Sequence, residues 1–206
     1  VPAPQKVTDV MTKLITETPA EVLHGYTSAP GDVKVRTAIA ENIKAKFGVE
    51  ASLANIYMTC GAAASLTITL NAIVEDGDEV IAFAPFFPEY RVFVEQAGAK
   101  LVVVSNKTED LQLDFEAIEK AITPNTKAVI INSPNNPSGV IVPEEDIKKL
   151  CALLNSKQSE YGKEIFLISD EPYRELVFNG ENVAYIPCYY DNSIVCYSYS
   201  KALSLP

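Results

Sequence analysis

Residues 79–105 read EVIAFAPFFPEYRVFVEQAGAKLVVVS. The two ends of this stretch, 79–84 and 100–105, are short and almost uninterruptedly apolar, as strands are when both faces of their sheet are covered. The middle, 88–97, reads as a helix. A strand, a helix and a strand in that order make a parallel crossover. The same alternation runs outward in both directions. Helices are expected over 7–18, 32–47, 61–75, 114–122 and 143–156, and strands over 55–59, 127–132, 165–169 and 194–197. The second helix carries Val35, Ile39, Ile43 and Phe47 at four-residue spacing, with Gly48 as its stop. The helix beginning at Pro143 presents Ile147, Leu150, Cys151 and Leu154 on one face. The predicted fold class is α/β, a three-layer α/β/α sandwich around a mostly parallel sheet. The stretch 179–192 reads as loop, and no repeat or linker interrupts the 206 residues.

Bulk properties exclude several functions. The chain is 48% hydrophobic and 21% charged, an ordinary globular composition. No apolar run is long enough for a membrane span, and the first residues show no signal-peptide pattern. A net charge of −10 without a basic patch argues against nucleic acid. The four cysteines lack CxxC spacing and His24 is the sole histidine, so no metal site is expected. Unpaired thiols point to a reducing, cytoplasmic setting.

In a doubly wound sheet, chemistry gathers beyond the carboxyl ends of the strands. After 55–59 comes Thr59-Cys60-Gly61-Ala62-Ala63-Ala64, small residues opening a helix, where an anion could sit or the chain could merely turn tightly. After 79–84 comes Pro85-Phe86-Phe87-Pro88-Glu89-Tyr90, an aromatic wall or a core corner. After 127–132 comes Ser133-Pro134-Asn135-Asn136-Pro137-Ser138-Gly139, stiff turn chemistry holding amides. Asp170-Glu171-Pro172-Tyr173 follows 165–169, with an acid that could also be a simple cap. Ser198-Tyr199-Ser200-Lys201 follows 194–197, and a lysine there is ordinarily solvated. Together these offer an anion cradle, a flat apolar wall, an amide, an acid with a phenol, and an amine. A ligand that needs the whole set is pyridoxal 5′-phosphate (PLP). A lysine can condense with its aldehyde, and an ionised acid keeps its ring nitrogen protonated so that the ring draws electrons. Such an ion pair at ~4 Å is worth roughly 4 kcal/mol at an effective dielectric of about 20.

The order and wording of these segments, from Tyr26 to Lys201, resemble the class I/II aminotransferases among the fold-type-I PLP enzymes. The resemblance implies that Lys201 is the Schiff-base lysine and that Ser198 and Ser200 hold the phosphate beside Gly61, Ala62 and Ala63. It implies that Asp170 partners the pyridine nitrogen, and that Tyr173 and Asn136 reach the ring's phenolic oxygen. Asn132 would lie towards the substrate. Phe87 would stack on the ring, where many members carry Tyr or Trp. Tyr26 would reach the phosphate of a neighbouring subunit, which implies a homodimer with shared sites. Cys60 and His24 receive no role.

The implied reaction is transamination between an amino acid and a 2-oxo acid, with Lys201 as general base and acid. The same apparatus would serve a C–S lyase, and a PLP-sensing regulator domain would use the fold without turnover. The resemblance also implies that residues 1–206 are an incomplete large PLP-binding domain. The N-terminal segment, the small C-terminal domain and the arginines for phosphate and substrate carboxylate would lie outside it.

Overall fold

The computed structural model describes residues 2–205; residues 1 and 206, the two ends of the expected domain, lie outside it. The strands are β1 Glu79–Ala84, β2 Lys100–Ser105, β3 Thr126–Asn132, β4 Phe166–Asp170 and β5 Ser193–Cys196. All are parallel, in the order β2-β1-β3-β4-β5. The helices are α1 Gln5–Glu17, α2 Ala20–Leu23, α3 Val33–Phe47, α4 Ala62–Ile73, α5 Glu89–Gln96, α6 Phe115–Ala121, α7 Glu144–Tyr161 and α8 Tyr199–Ala202.

The continuous apolar strands work because successive side chains enter different layers. On one face Ile81, Phe83, Val129, Ile131 and Leu167 meet Ile118 of α6 and Ile147, Leu150 and Leu154 of α7. On the other, Val80, Ala82, Ala128, Ile130 and Ile168 meet Leu66 and Leu70 of α4 and Tyr90 and Val94 of α5. Each fully buried aliphatic side chain contributes about 1.5–3 kcal/mol of transfer free energy. The three-layer α/β/α architecture is therefore built as its patterning predicts.

Two expectations are corrected. Residues 55–59 are not a strand. The Asn55 amide oxygen accepts from the Ser52 N–H (3.0 Å) and hydroxyl (2.6 Å), closing a 3-10 turn at Leu53–Asn55. Buried Arg36 of α3 then binds the Leu53 and Ile56 carbonyls at 2.8 and 3.4 Å. Ile56 is extended, but its carbonyl is spent on an arginine, and the Met58 N–H bonds to the Pro30 carbonyl rather than to a strand. The helix expected over 143–156 runs on to Tyr161. Its polar last turns are anchored by Gln158, whose Oε1 accepts from the Ile165 N–H and the Asn192 amide, both at 2.9 Å. At α3 the expected caps are present: Asp32 accepts from the Val35 N–H at 3.0 Å, and Gly48 takes the left-handed conformation (φ 72°).

From β1 the chain moves outward to β2, and then returns to build β3, β4 and β5 on the other side. The crevice between β1 and β3 is the topological switch point. Register sets Asn132 opposite Asp170, and Asp170 opposite Cys196, so three strand ends align at one edge. Among the described residues no helix is long and apolar enough to cross a membrane.

Candidate active site

At one side of this edge, Gly61 turns the chain into α4. It holds φ 92° and ψ 177°, a conformation that a side chain would strain. Thr59 Oγ1 braces the turn, donating to the Gly61 carbonyl (3.1 Å) and pairing with Ser65 Oγ (2.7 Å). The first backbone bond of α4 runs from the Ser65 N–H to Gly61, so the N–H groups of Ala62, Ala63 and Ala64 have no acceptor within the helix. A Cβ on Gly61 would stand 4.0 Å from Ser198 Oγ, which places Ser198 directly against this N-terminus. Ser198 is buried and caps α8: its Oγ accepts from the Ser200 N–H at 3.2 Å and lies 2.9 Å from Ser200 Oγ. Lys201 stands exposed in α8, with no ion pair among the described residues. Donors without acceptors and two hydroxyls thus share one patch, suited to a phosphate group, and Lys201 follows directly on Ser200 in the same short helix.

Asp170, the last residue of β4, is 5% exposed. Its Oδ2 accepts from the Tyr90 hydroxyl at 2.5 Å, whereas buried Oδ1 has no partner. Burial pushes the carboxyl up to about 6, and the tyrosine O–H pulls the other way. Tyr90 carries the aromatic wall with it. Phe86 lies parallel to its ring with centroids 6.1 Å apart, and Phe87 meets it edge-on at 5.8 Å. Asn132 locks the neighbouring strand ends. Its amide nitrogen donates to the Asp170 carbonyl (2.7 Å), and its Oδ1 accepts from the Asn136 N–H (2.6 Å). The Asn132 amide is thus committed to backbone groups and sets the geometry of its neighbours. Asn135 turns back on Ser138, at 3.1 Å from its N–H and 2.7 Å from its hydroxyl. That leaves the Asn136 amide without a partner among the described residues. Asn136 and Tyr173 line one cleft of about 570 Å³, together with Pro134, Asn135, Leu176 and Phe178.

The structure brings Gly61, Ala62, Ala63, Ser198, Ser200 and Lys201 into one patch, and Phe87, Asp170, Asn132, Asn136 and Tyr173 into a second group at the same sheet edge. Tyr26 belongs to neither, standing fully exposed ahead of α3. Among the described residues no cluster of His, Cys, Asp or Glu could hold a metal ion.

Sequence reasoning missed two features. Tyr90 counted only as part of an aromatic wall, and nothing local shows that a tyrosine six residues beyond β1 bonds an acid at the end of β4. The second is Glu171, 1% exposed, which pairs with Arg174 and accepts from Ser169 Oγ at 2.7 Å. The Arg174 guanidinium lies over the rings of Phe47, Tyr185 and Tyr197, at 5.1, 5.3 and 4.4 Å. Burial raises the Glu171 carboxyl, and Arg174 opposes that shift. This anchor fixes the turn that carries Tyr173. Its only local signal is an acid directly after Asp170 with an arginine three residues on.

Comparison with known proteins gives a consistent result. Residues 3–206 match the family model described as aminotransferase class I and II. A probable N-acetyl-LL-diaminopimelate aminotransferase of Bacillus subtilis is 34% identical over 187 residues, covering 90% of this chain and 46% of that protein. A probable aspartate/prephenate aminotransferase of Thermus aquaticus is 36% identical over 75% of this chain and 39% of its own length. Among solved structures, an amino transferase from Eubacterium rectale superposes over the whole chain with TM-score 0.98 at 55% identity, covering 52% of that structure. The chain spans about half the length of the relatives it matches, or less.

Proposed function

We infer the function from one premise: the chain belongs to the class I and II aminotransferases. It is the large domain of a PLP-dependent aminotransferase that moves an amino group between an L-amino acid and a 2-oxo acid. The observation that carries this reading is the unpartnered Asp170 Oδ1, a buried carboxylate oxygen that calls for a cationic N–H.

The residues fit the cofactor. The α4 N-terminus at Gly61, Ala62 and Ala63, with Ser198 and Ser200, would hold its phosphate. Phe87 would cover the ring, and Asn136 and Tyr173 would donate to the phenolic oxygen. When bound, PLP supplies an aldehyde that takes up an amino group and a pyridinium that draws electrons from it. Asp170 would hold the proton on the ring nitrogen, because losing it would leave a buried charge unpaired. Asn132 and the Glu171–Arg174 pair would keep Asp170 and Tyr173 in place. Lys201 Nζ would provide the amine that anchors the cofactor, and then move a proton as base and acid. Phe87 offers a ring without a polar handle, so its hold on the cofactor would be dispersive and electrostatic only.

A second copy of the chain is the proposed partner. Tyr26 projects fully into solvent, and α1 buries none of its apolar residues, including Met11, Leu14 and Ile15. The free thiols Cys60, Cys151, Cys188 and Cys196 suit a reducing cytoplasm. The test is amino transfer by the full-length protein, with L-amino acids and 2-oxo acids supplied in pairs. Transfer that disappears in Lys201→Ala supports the reading. Release of pyruvate and ammonia from a cysteine conjugate, with no transfer, would replace it with a lyase.

A further inference from the structure

Tyr90 is 2% exposed, and its hydroxyl makes a single hydrogen bond, to Asp170 Oδ2. A buried phenol is tolerated only with such a partner. The bond divides the carboxylate: one oxygen is committed to the protein, and Oδ1 is left without a partner. The titratable groups facing Asp170 are Tyr90 from α5, Cys196 from β5 and Glu171, the next residue beyond β4. Of these, Tyr90 is the one that donates to the carboxylate, and the others bring it no positive charge. The same ring is braced edge-on by Phe87 and in parallel by Phe86.

We propose that Tyr90 is a positioning residue that presents a single oxygen of Asp170 to the ring N–H of a planar cationic heteroaromatic, and that it couples this acid mechanically to the stacking residue Phe87. The proposal rests on the assignment of Asp170 to the cofactor's ring nitrogen. Its physical content is that a phenol O–H favours the ionised carboxylate, because a charge-assisted bond is lost on protonation. A merely structural tyrosine would fill the same space without governing how Asp170 titrates.

The experiment uses the full-length protein without cofactor, with ¹³C-labelled aspartate and the Asp170 signal identified by its absence in Asp170→Asn. Tyr90→Phe keeps the ring and removes the donor. The Asp170 midpoint should rise by about one to two pH units, the worth of a hydrogen bond to a charged group. Affinity for pyridoxine 5′-phosphate, which lacks the aldehyde and does not engage Lys201, should fail at a correspondingly higher pH. Site-specific 3,5-difluorotyrosine at position 90, a stronger donor of the same shape, should lower the midpoint, and it carries the test if Tyr90→Phe does not fold. An Asp170 midpoint that is the same in wild type and Tyr90→Phe, or that rises on fluorination, overturns the proposal even if the probe binds. Wild-type protein that ignores the probe overturns the functional reading instead, whatever Asp170 does.

Discussion

Asp170→Asn should reverse an electrostatic cost that the cofactor-free protein bears at neutral pH. Burial lifts this carboxyl from 3.8 to about 6. A carboxyl with a higher value folded than unfolded binds its proton more tightly in the folded state. The protein therefore loses stability as pH rises through the interval between the two values. A difference of about 2 units corresponds to about 3 kcal/mol in full, of which about 2 kcal/mol falls between about pH 4.5 and about pH 7.5. Asparagine has no proton to lose. Its buried amide carries a desolvation cost, but that cost does not vary with pH and drops out of the comparison. Urea unfolding of full-length, cofactor-free wild type and Asp170→Asn, followed by circular dichroism across this range, isolates the effect. The wild-type minus variant difference should fall by about 2 kcal/mol towards neutral pH. Saturation with PLP should restore wild type more than the variant, because only wild type gains an ion pair. Parallel pH curves for the two proteins would refute the reasoning, since Asp170 would then not be a strained, half-satisfied acid.

Other perturbations separate the site from its support. Gly61→Ala forces a Cβ into φ 92° and should cost about 1–3 kcal/mol of stability, with weakened retention of phosphate-bearing cofactor measured by dialysis. Arg174→Met strands the buried Glu171 carboxylate and should destabilise by about 3–5 kcal/mol. Glu171→Met with Arg174→Met should recover most of that loss in denaturant unfolding. Leu150→Ala removes a fully buried side chain from the α7 layer and should cost about 2–5 kcal/mol, leaving the spectrum of bound cofactor unchanged.

Much of the fold was legible because burial on both faces leaves an unambiguous imprint. Every strand from β1 to β5 lies within one residue of its expected span, since each is a short apolar run bounded by turn residues. Residues 55–59 misled because Ile56, Tyr57 and Met58 look like strand. What decided their fate was Arg36, 20 residues before Ile56, taking the Ile56 carbonyl. The ends of strands are equally local, so Asp170 could be located as the end of β4, and Asn136, Ser198 and Lys201 from the strands they closely follow. The contacts that give those residues their character are not local. Tyr90 reaches Asp170 across 80 positions, and Arg174 is caged by rings from Phe47, Tyr185 and Tyr197. Asn132 was expected towards the substrate; its amide instead ties together the backbones of Asp170 and Asn136.

The central claim is that Lys201 anchors an aldehyde cofactor at the edge where β3, β4 and β5 end. The direct measurement is to add PLP to the full-length protein, reduce with borohydride and map the adduct by peptide mass. The account predicts a single stoichiometric adduct on Lys201, lost in Lys201→Ala. An adduct spread over surface lysines, or none at all, would contradict it.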